Sequence, residues 1–270
     1  MKFGHLETEC LRIRQQQLQI NDAILSGEIK LPVHLALGHE AIAVALKNSI
    51  QSSDKILLTH RNIHFHLALN TNFESIRDEY LLKNSGISGG KLGSMNMIDV
   101  EAGNIYTSNI LGNNLPVATG VALGEKFKNS GAVTWVATGD GAIEEGAFYE
   151  SILNAKSLGL PIIFIVENNS WSLGSSISER RVEIQLNKLA QALDISYEYL
   201  DSNDVNEYAT KLKEVRSFAK RHTTPLIVEV MTTTLGGYEV TENNRTRFVN
   251  YHAGKIDQER ANILRSLGEI

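Results

Sequence analysis

AVTWVATGDGAIEEGAFYESILNAKSLGLPIIFIVENNSWSLG, residues 132–174, decides the fold. AVTWVAT (132–138) and LPIIFIVEN (160–168) are short, continuous apolar runs rich in β-branched residues. Between them EEGAFYESILNAKSLG (144–159) has helical spacing. Strands apolar on both faces and joined through a helix predict a parallel sheet covered on both sides. The same alternation continues with a helix over 185–193, a strand over 195–200, a helix over 204–221 and a strand over 225–233. Upstream, 6–27 and 38–50 read as helices, with Leu6, Cys10, Ile13, Leu18, Ile24 and Leu25 on the apolar side of the first. Residues 52–61 lead through a turn into a strand, 73–84 form a helix, and 116–128 form a buried helix. Glycine and asparagine are so dense across 85–116 that no regular element is predicted there. The expectation is one α/β domain: an N-terminal helical arm (1–37), a core (38–234), and a loop with a short tail (235–270).

Composition narrows the function. In 270 residues, 26 Lys and Arg against 31 Asp and Glu give a net charge of −5, too acidic and too evenly mixed for gripping phosphate backbones. No nucleic-acid partner is expected. Cys10 is the only cysteine, which rules out an internal disulfide and a cysteine metal cage. No apolar run approaches the ~20 residues of a membrane span, and Glu7, Glu9 and Asp22 occupy the stretch where a secretory signal would be apolar. A cytoplasmic protein without a membrane partner is the expectation. No strand is followed by G-x-G-x-x-G, which weakens a dinucleotide-binding reading.

In sheets of this kind, ligands sit at the carboxyl ends of the strands. TGDGAIEEG (138–146) puts Asp140 between two glycines where a strand ends, with Gly141 and Ala142 offering backbone N–H groups to an anion. ENNSWSLG (167–174) puts Asn168 and Asn169 at the end of the next strand. A carboxylate and an amide oxygen beside phosphate-seating amides suit Mg²⁺ or Ca²⁺ bridging a diphosphate. Either dipeptide alone is more often a turn, with Asp140 as a helix cap.

GDG with Glu145 and Gly146, followed by NN after an apolar strand, resembles the thiamine-diphosphate motif of the alpha subunits of 2-oxo acid dehydrogenase first components (pyruvate, branched-chain and acetoin types). LALGHEAIAVAL (35–46), SDKILLTHR (53–61), GGKLGSMNM (89–97) and ILGNNLPVATGVALGEK (110–126) are similar to further family blocks in the same order, so the resemblance runs from about 30 to 230. It implies the thiamine-diphosphate-binding fold, with Mg²⁺ held by Asp140, Asn169 and the Trp171 carbonyl. It also implies that Gly141, Ala142, Arg61 and His60 lie near the diphosphate, that Leu173 wedges the cofactor into its bent shape, and that Asn109 and Leu111 contact the aminopyrimidine. Core packing is the alternative for Leu111 and Leu173. The glutamate that activates the cofactor comes from a beta subunit in this family, so a heterotetramer of two alpha and two beta chains is implied, with a lipoyl acyltransferase as a further partner.

The sequence departs from the family where an H-G-H-S loop is usual. Here LGGYEVTENN (235–244) puts Leu235 and Gly237 at the histidine positions, Thr233 stands at the upstream arginine, and Asn96 replaces the histidine after GSM. About thirty residues follow, which reads as a trimmed tail. The loop residues are associated with passing the acyl group to a lipoyl arm. A non-oxidative, transketolase-like decarboxylase or carboligase is therefore an alternative, as is a non-catalytic subunit retaining the fold. His60, His64 and His66 in THRNIHFHLAL offer substitute proton donors, His60 and His64 being the catalytic candidates. His64 and His66 share a face only if the segment is a strand; satisfied core histidines are the alternative. Glu144 and Glu145 read as acidic residues opening a helix, and Tyr238 is a further residue that could reach the site.

Overall fold

A computed structural model describes residues 3–70, 72–173 and 175–235, and the backbone of 238–240 and 246–248. The elements are α1 (His5–Leu25), α2 (Glu40–Lys47), β1 (Lys55–Thr59), α3 (Ile63–Leu69), α4 (Phe73–Tyr80), β2 (Asn104–Ser108), α5 (Asn114–Phe127) and β3 (Thr134–Gly139). A 3₁₀ turn (Ala142–Glu144) precedes α6 (Gly146–Ser157), β4 (Ile162–Asn168), β5 (Trp171–Ser172), β6 (Ser175–Ser176), α7 (Ile177–Arg180) and α8 (Leu186–Ala192). Then come β7 (Ser196–Leu200), α9 (Val205–His222), β8 (Leu226–Met231), β9 (Tyr238–Val240) and β10 (Thr246–Phe248).

Six strands form one sheet in the order β2-β1-β3-β4-β8-β7, and every pairing within it is parallel. Side chains alternate between two cores. Ile56, Leu58, Trp135, Ile163, Ile165 and Val228 face one side, where α1, α2, α3 and α9 pack. Leu57, Val136, Phe164, Val166 and Ile227 face the other, under α5, α6 and α8. This period-two division explains why β3 and β4 read as unbroken apolar runs. The predicted α/β architecture with helices on both faces is thus the observed one. The first helix contributes Ile13 and Ile20 to the same core as the central strands.

Three elements were not expected from the sequence. The glycine-rich stretch contains β2, an edge strand paired with β1. It also contains a loop gathered by the fully buried Glu79, whose carboxylate accepts the backbone N–H groups of Ser88 (2.9 Å), Gly90 (2.8 Å), Leu92 (2.9 Å) and Gly93 (3.0 Å). Such a loop gains order from one side chain rather than from periodicity. The second is α3, which places His64 and His66 on a helix and so on different faces. The third is the β5–β6 hairpin leading into α7. The predicted helix over 144–159 begins only at Gly146, after the 3₁₀ turn.

Asp54, at the head of β1, fastens the far end of α9 to the sheet. Its carboxylate receives Arg216 through Nε and Nη2 (both 2.7 Å), Trp135 Nε1 (3.1 Å) and the Val133 N–H (3.0 Å), and both charged side chains are buried. Asp54→Ala is expected to lower unfolding stability by about 3–5 kcal/mol, because it strands a buried guanidinium; a urea-unfolding midpoint equal to wild type would refute that role.

His66 is also fully buried, with Nε2 3.2 Å from the Met97 carbonyl oxygen, and burial pushes its pKa down to about 4. An unfolded histidine binds a proton near 6.5, whereas the folded one resists it. The stability from keeping His66 neutral is therefore complete above pH 6.5 and declines as pH falls towards 4, by on the order of 3 kcal/mol. The slope of stability against pH over that window is expected to be shallower in His66→Leu.

Candidate functional site

The carboxyl ends of β3 and β4 open onto a cavity of about 480 Å³. His60, Arg61, Asn109, Leu111, Asp140, Gly141, Ala142, Asn169, Trp171 and Leu173 all line it. These are the site residues assigned from the sequence, His64 apart, and they come from four separate segments. Register explains the convergence of the two central loops: Gly139 pairs with Glu167, so Asp140 and Asn169 leave neighbouring strands at nearly one level.

Asp140 is buried and not a helix cap. Its Oδ2 accepts Arg180 Nη2 at 2.8 Å, and burial pushes its carboxyl above the ordinary range against that attraction. The N–H groups of Gly141 and Ala142 stand at a three-residue 3₁₀ turn rather than at the head of an α-helix. A Cβ on Gly141 would lie 2.7 Å from Ser172 Oγ, so any larger residue there would have to displace the Ser172 side chain. Glu144 is not a free helix-opening acid either: it binds Arg180 Nε (3.0 Å) and Arg181 Nε (2.9 Å). The β5–α7 segment is thus tied to the GDG loop by two arginines that sequence reasoning had not singled out; ISERR (177–181) was their only sign.

Asn169 turns its Oδ1 to the Trp171 N–H (3.0 Å) and its Nδ2 to Thr234 Oγ1 (2.8 Å). Arg61 donates to the Leu35 carbonyl, and burial pushes its pKa down against the attraction of Glu167 and Asp140. His60 stacks edge-on against His34, with ring centroids 4.6 Å apart, and burial together with Arg61 pushes its pKa down to about 4. Leu111 and Leu173 are not core residues: they are 45% and 67% exposed at the rim. Leu173 also has φ 52°, a left-handed conformation unusual for a large side chain and found at sites that hold strain.

His64 lies behind the cavity. It is fully buried, and its Nε2 is 3.0 Å from Glu167 Oε1. The same oxygen receives His39 Nδ1 at 2.8 Å, while His39 Nε2 lies 2.7 Å from Thr234 Oγ1. Burial opposes ionisation of Glu167, but the two imidazoles outweigh it and hold the carboxyl below its usual range. Burial, opposed by the Glu167 carboxylate, pushes the His39 pKa below its usual value. His39 and Glu167 line the cavity and were missed in the sequence. A carboxylate closing the apolar run LPIIFIVE was the available signal, since such a residue needs buried donors.

The segment in the family's histidine-loop position folds back on the site as far as it is described. Leu235 N–H donates to the Leu37 carbonyl at 2.7 Å, its side chain packs against the core, and a Cβ on Gly38 (φ +94°) would overlap the Thr233 carbonyl oxygen. Gly237 and the tail beyond 248 lie outside the described residues, as does the Tyr238 side chain.

The residues fit a Mg-diphosphate group. Asp140 and Asn169 supply hard oxygen donors at one level, and Arg61 supplies a cation. The Thr138 hydroxyl, buried in the cavity wall, has no hydrogen-bond partner among the described residues.

Residues 11–262 match the family described as dehydrogenase E1 component. The pyruvate dehydrogenase E1 component subunit alpha of Rickettsia felis is 30% identical over 240 residues, covering 88% of this chain and 73% of the relative. The mitochondrial subunit of the same description from Schizosaccharomyces pombe is 28% identical, covering 89% and 58%. Among solved structures, a transketolase from Leishmania mexicana shares the fold, with a TM-score of 0.66 at 18% identity over 86% of this chain and 37% of the transketolase. No described helix is long and apolar enough to cross a membrane. On sequence and fold together, the chain belongs to the dehydrogenase E1 component family, as a distant relative of its pyruvate dehydrogenase alpha subunits.

Proposed function

We propose that this chain is the alpha-like half of a thiamine-diphosphate-dependent enzyme that decarboxylates a 2-oxo acid. The observation that carries the reading is the single cavity shared by ten residues chosen from separate motifs. Asp140, Asn169 and the Trp171 carbonyl would hold Mg²⁺, with Gly141, Ala142 and Arg61 on the diphosphate. Asn109, Leu111 and Leu173 at the rim would border the organic rings. Thiamine diphosphate supplies the nucleophilic carbon that adds to a 2-oxo group and stabilises the negative charge left by departing carbon dioxide. The chain's own task is to hold that group, keep water out and present a polar group to the substrate. His60, neutral at pH 7, would be the residue to hydrogen-bond a substrate carbonyl, whereas His64 bonds to Glu167 behind the cavity.

A beta-like partner belongs to this reading. Among the described residues the carboxylates lining the cavity are Asp140 and Glu167, and both are engaged by cations or imidazoles. In this reading the activating glutamate comes from another chain, as the resemblance to the family implies. The packed pair α5 and α6 offers a surface for it: Phe127, Tyr149 and Leu153 are exposed, and a Cβ on Gly120 or Gly124 would meet nothing within 4 Å. Apolar residues beside bare backbone suit close helix packing with a partner.

Leu235, half-buried against the core where the resemblance places a histidine, favours a non-oxidative transfer of the acyl unit to an aldehyde over delivery to a lipoyl arm. With the partner chain present, carbon dioxide release from a 2-oxo acid with carbon–carbon bond formation to an added aldehyde is expected. Reductive acylation of a lipoyl domain at a comparable rate would reverse that preference.

The cofactor reading is tested by calorimetric titration of the purified complex with thiamine diphosphate and Mg²⁺. Asp140→Ala is expected to weaken Mg²⁺-dependent binding at least about 100-fold, since it removes a charged ligand. Arg180→Ala is expected to tighten binding several-fold, because the guanidinium and the cation compete for one carboxylate. Unchanged affinity in Asp140→Ala would remove that residue from the metal site.

A further inference from the structure

Five side chains form an unbroken hydrogen-bonded line that runs from behind the cavity to Asn169. His64 Nε2 and His39 Nδ1 meet Glu167 Oε1 at 3.0 and 2.8 Å. His39 Nε2 meets Thr234 Oγ1 at 2.7 Å, and Thr234 Oγ1 meets Asn169 Nδ2 at 2.8 Å. The two histidines, Glu167 and Thr234 are all buried. These contacts join α3, the turn ahead of α2, the end of β4 and the segment after β8, which are remote in sequence.

Protons can be counted along the line. A carboxylate only accepts, and a neutral imidazole has a single N–H, so His39 gives its Nδ1–H to Glu167. Nε2 of His39 is then an acceptor and takes the one proton of the Thr234 hydroxyl. The hydroxyl therefore faces Asn169 with lone pairs alone, and only the amide NH₂ can meet it. Asn169 Oδ1 is turned the other way, to the Trp171 N–H (3.0 Å) at the cavity wall. A flipped amide would set its NH₂ against the Trp171 N–H and offer a cation no lone pair.

We infer that His39 is a positioning residue: acting through Thr234, it fixes the Asn169 amide so that its oxygen, not its nitrogen, is available to a divalent cation. The inference rests on the reading of Asn169 as a cation ligand. It also gives Glu167 and His64 a purpose, since they set which nitrogen of His39 carries the proton, as partners behind metal ligands commonly do. His39 itself touches neither cation nor substrate.

The full chain, with any partner chain that copurifies, is titrated with Mn²⁺ in the presence of thiamine diphosphate, and free Mn²⁺ is read by its electron paramagnetic resonance signal. His39→Leu and Thr234→Val are each expected to weaken Mn²⁺ binding about tenfold, the usual scale for losing a supporting partner of a metal ligand. His39→Gln is expected to bind within about twofold of wild type, because its amide can turn an N–H to Glu167 and its oxygen to the Thr234 hydroxyl. The double variant His39→Leu/Thr234→Val should bind no more weakly than either single one, as members of one line act together. Nitrogen-15 spectra of histidine-labelled wild-type chain should show Nδ1 of His39 protonated and Nε2 bare.

Wild-type Mn²⁺ affinity in His39→Leu and Thr234→Val, or an Nε2-protonated His39, would overturn the inference. Thr234→Val preserves shape, so a fold too damaged to assay in His39→Leu leaves the test intact. A wild-type chain that takes up no Mn²⁺ would instead overturn the cation reading of Asn169, and this inference with it.

Discussion

The front of the molecule is organised by one buried carboxylate. Glu167, next to last in the most apolar strand of the sheet, is buried at the cavity wall. An acceptor-only group in that position must collect donors, and it takes them from His39 at the head of α2 and His64 in α3. Those two contacts fix how the segments before and after β1 sit above the strand ends. They also bring Arg61, one turn before His64, into the field of Glu167 and Asp140. Without this carboxylate the two imidazoles would lose their common acceptor and Arg61 one of its two balancing charges.

Charge around the cavity is distributed by segment. Carboxylates come from the ends of β3 and β4, in the middle of the sheet. Cations come from elements laid over them: Arg61 ahead of α3, and Arg180 and Arg181 from α7. In the proposed reading, a diphosphate would be met by Arg61 and the Gly141 and Ala142 N–H groups, and a divalent cation by the oxygens of Asp140 and Asn169. The β5–α7 segment, held by ion pairs and carrying a left-handed Leu173, lies over that meeting point. A segment held by charge rather than by apolar packing is the part of the site that can exchange partners at low cost.

Much of this was legible in the residues. The apolar runs of β3, β4 and β8 and the helices between them set a parallel, doubly covered sheet. The GDG and NN loops fell at strand ends, and the positions matched from the resemblance came together in one cavity. What escaped reading was structure with no period to read. The edge strand β2 is only five residues long, with Asn104, Thr107 and Ser108 buried and Ile105 and Tyr106 half-buried, so no alternation marks it. The loop after α4 is ordered by Glu79 receiving four N–H groups, an arrangement invisible in a string of residues. In α3 the pattern IHFHLAL suits a strand as well as a helix, and only burial of both histidines on different partners separates the two.

The sequence by itself determined five of the six strands, the helical cover on both faces and the identity of the groups at the central strand ends, because these follow from local periodicity and from where an apolar run must stop. Tertiary structure alone decided which partner each polar group takes. Glu167 meets His39 across 128 positions, and His39 meets Thr234 across 195. Hydrogen-bond pairing at that separation depends on which chain segments the packed helices bring within 3 Å, and nothing local to either residue encodes it.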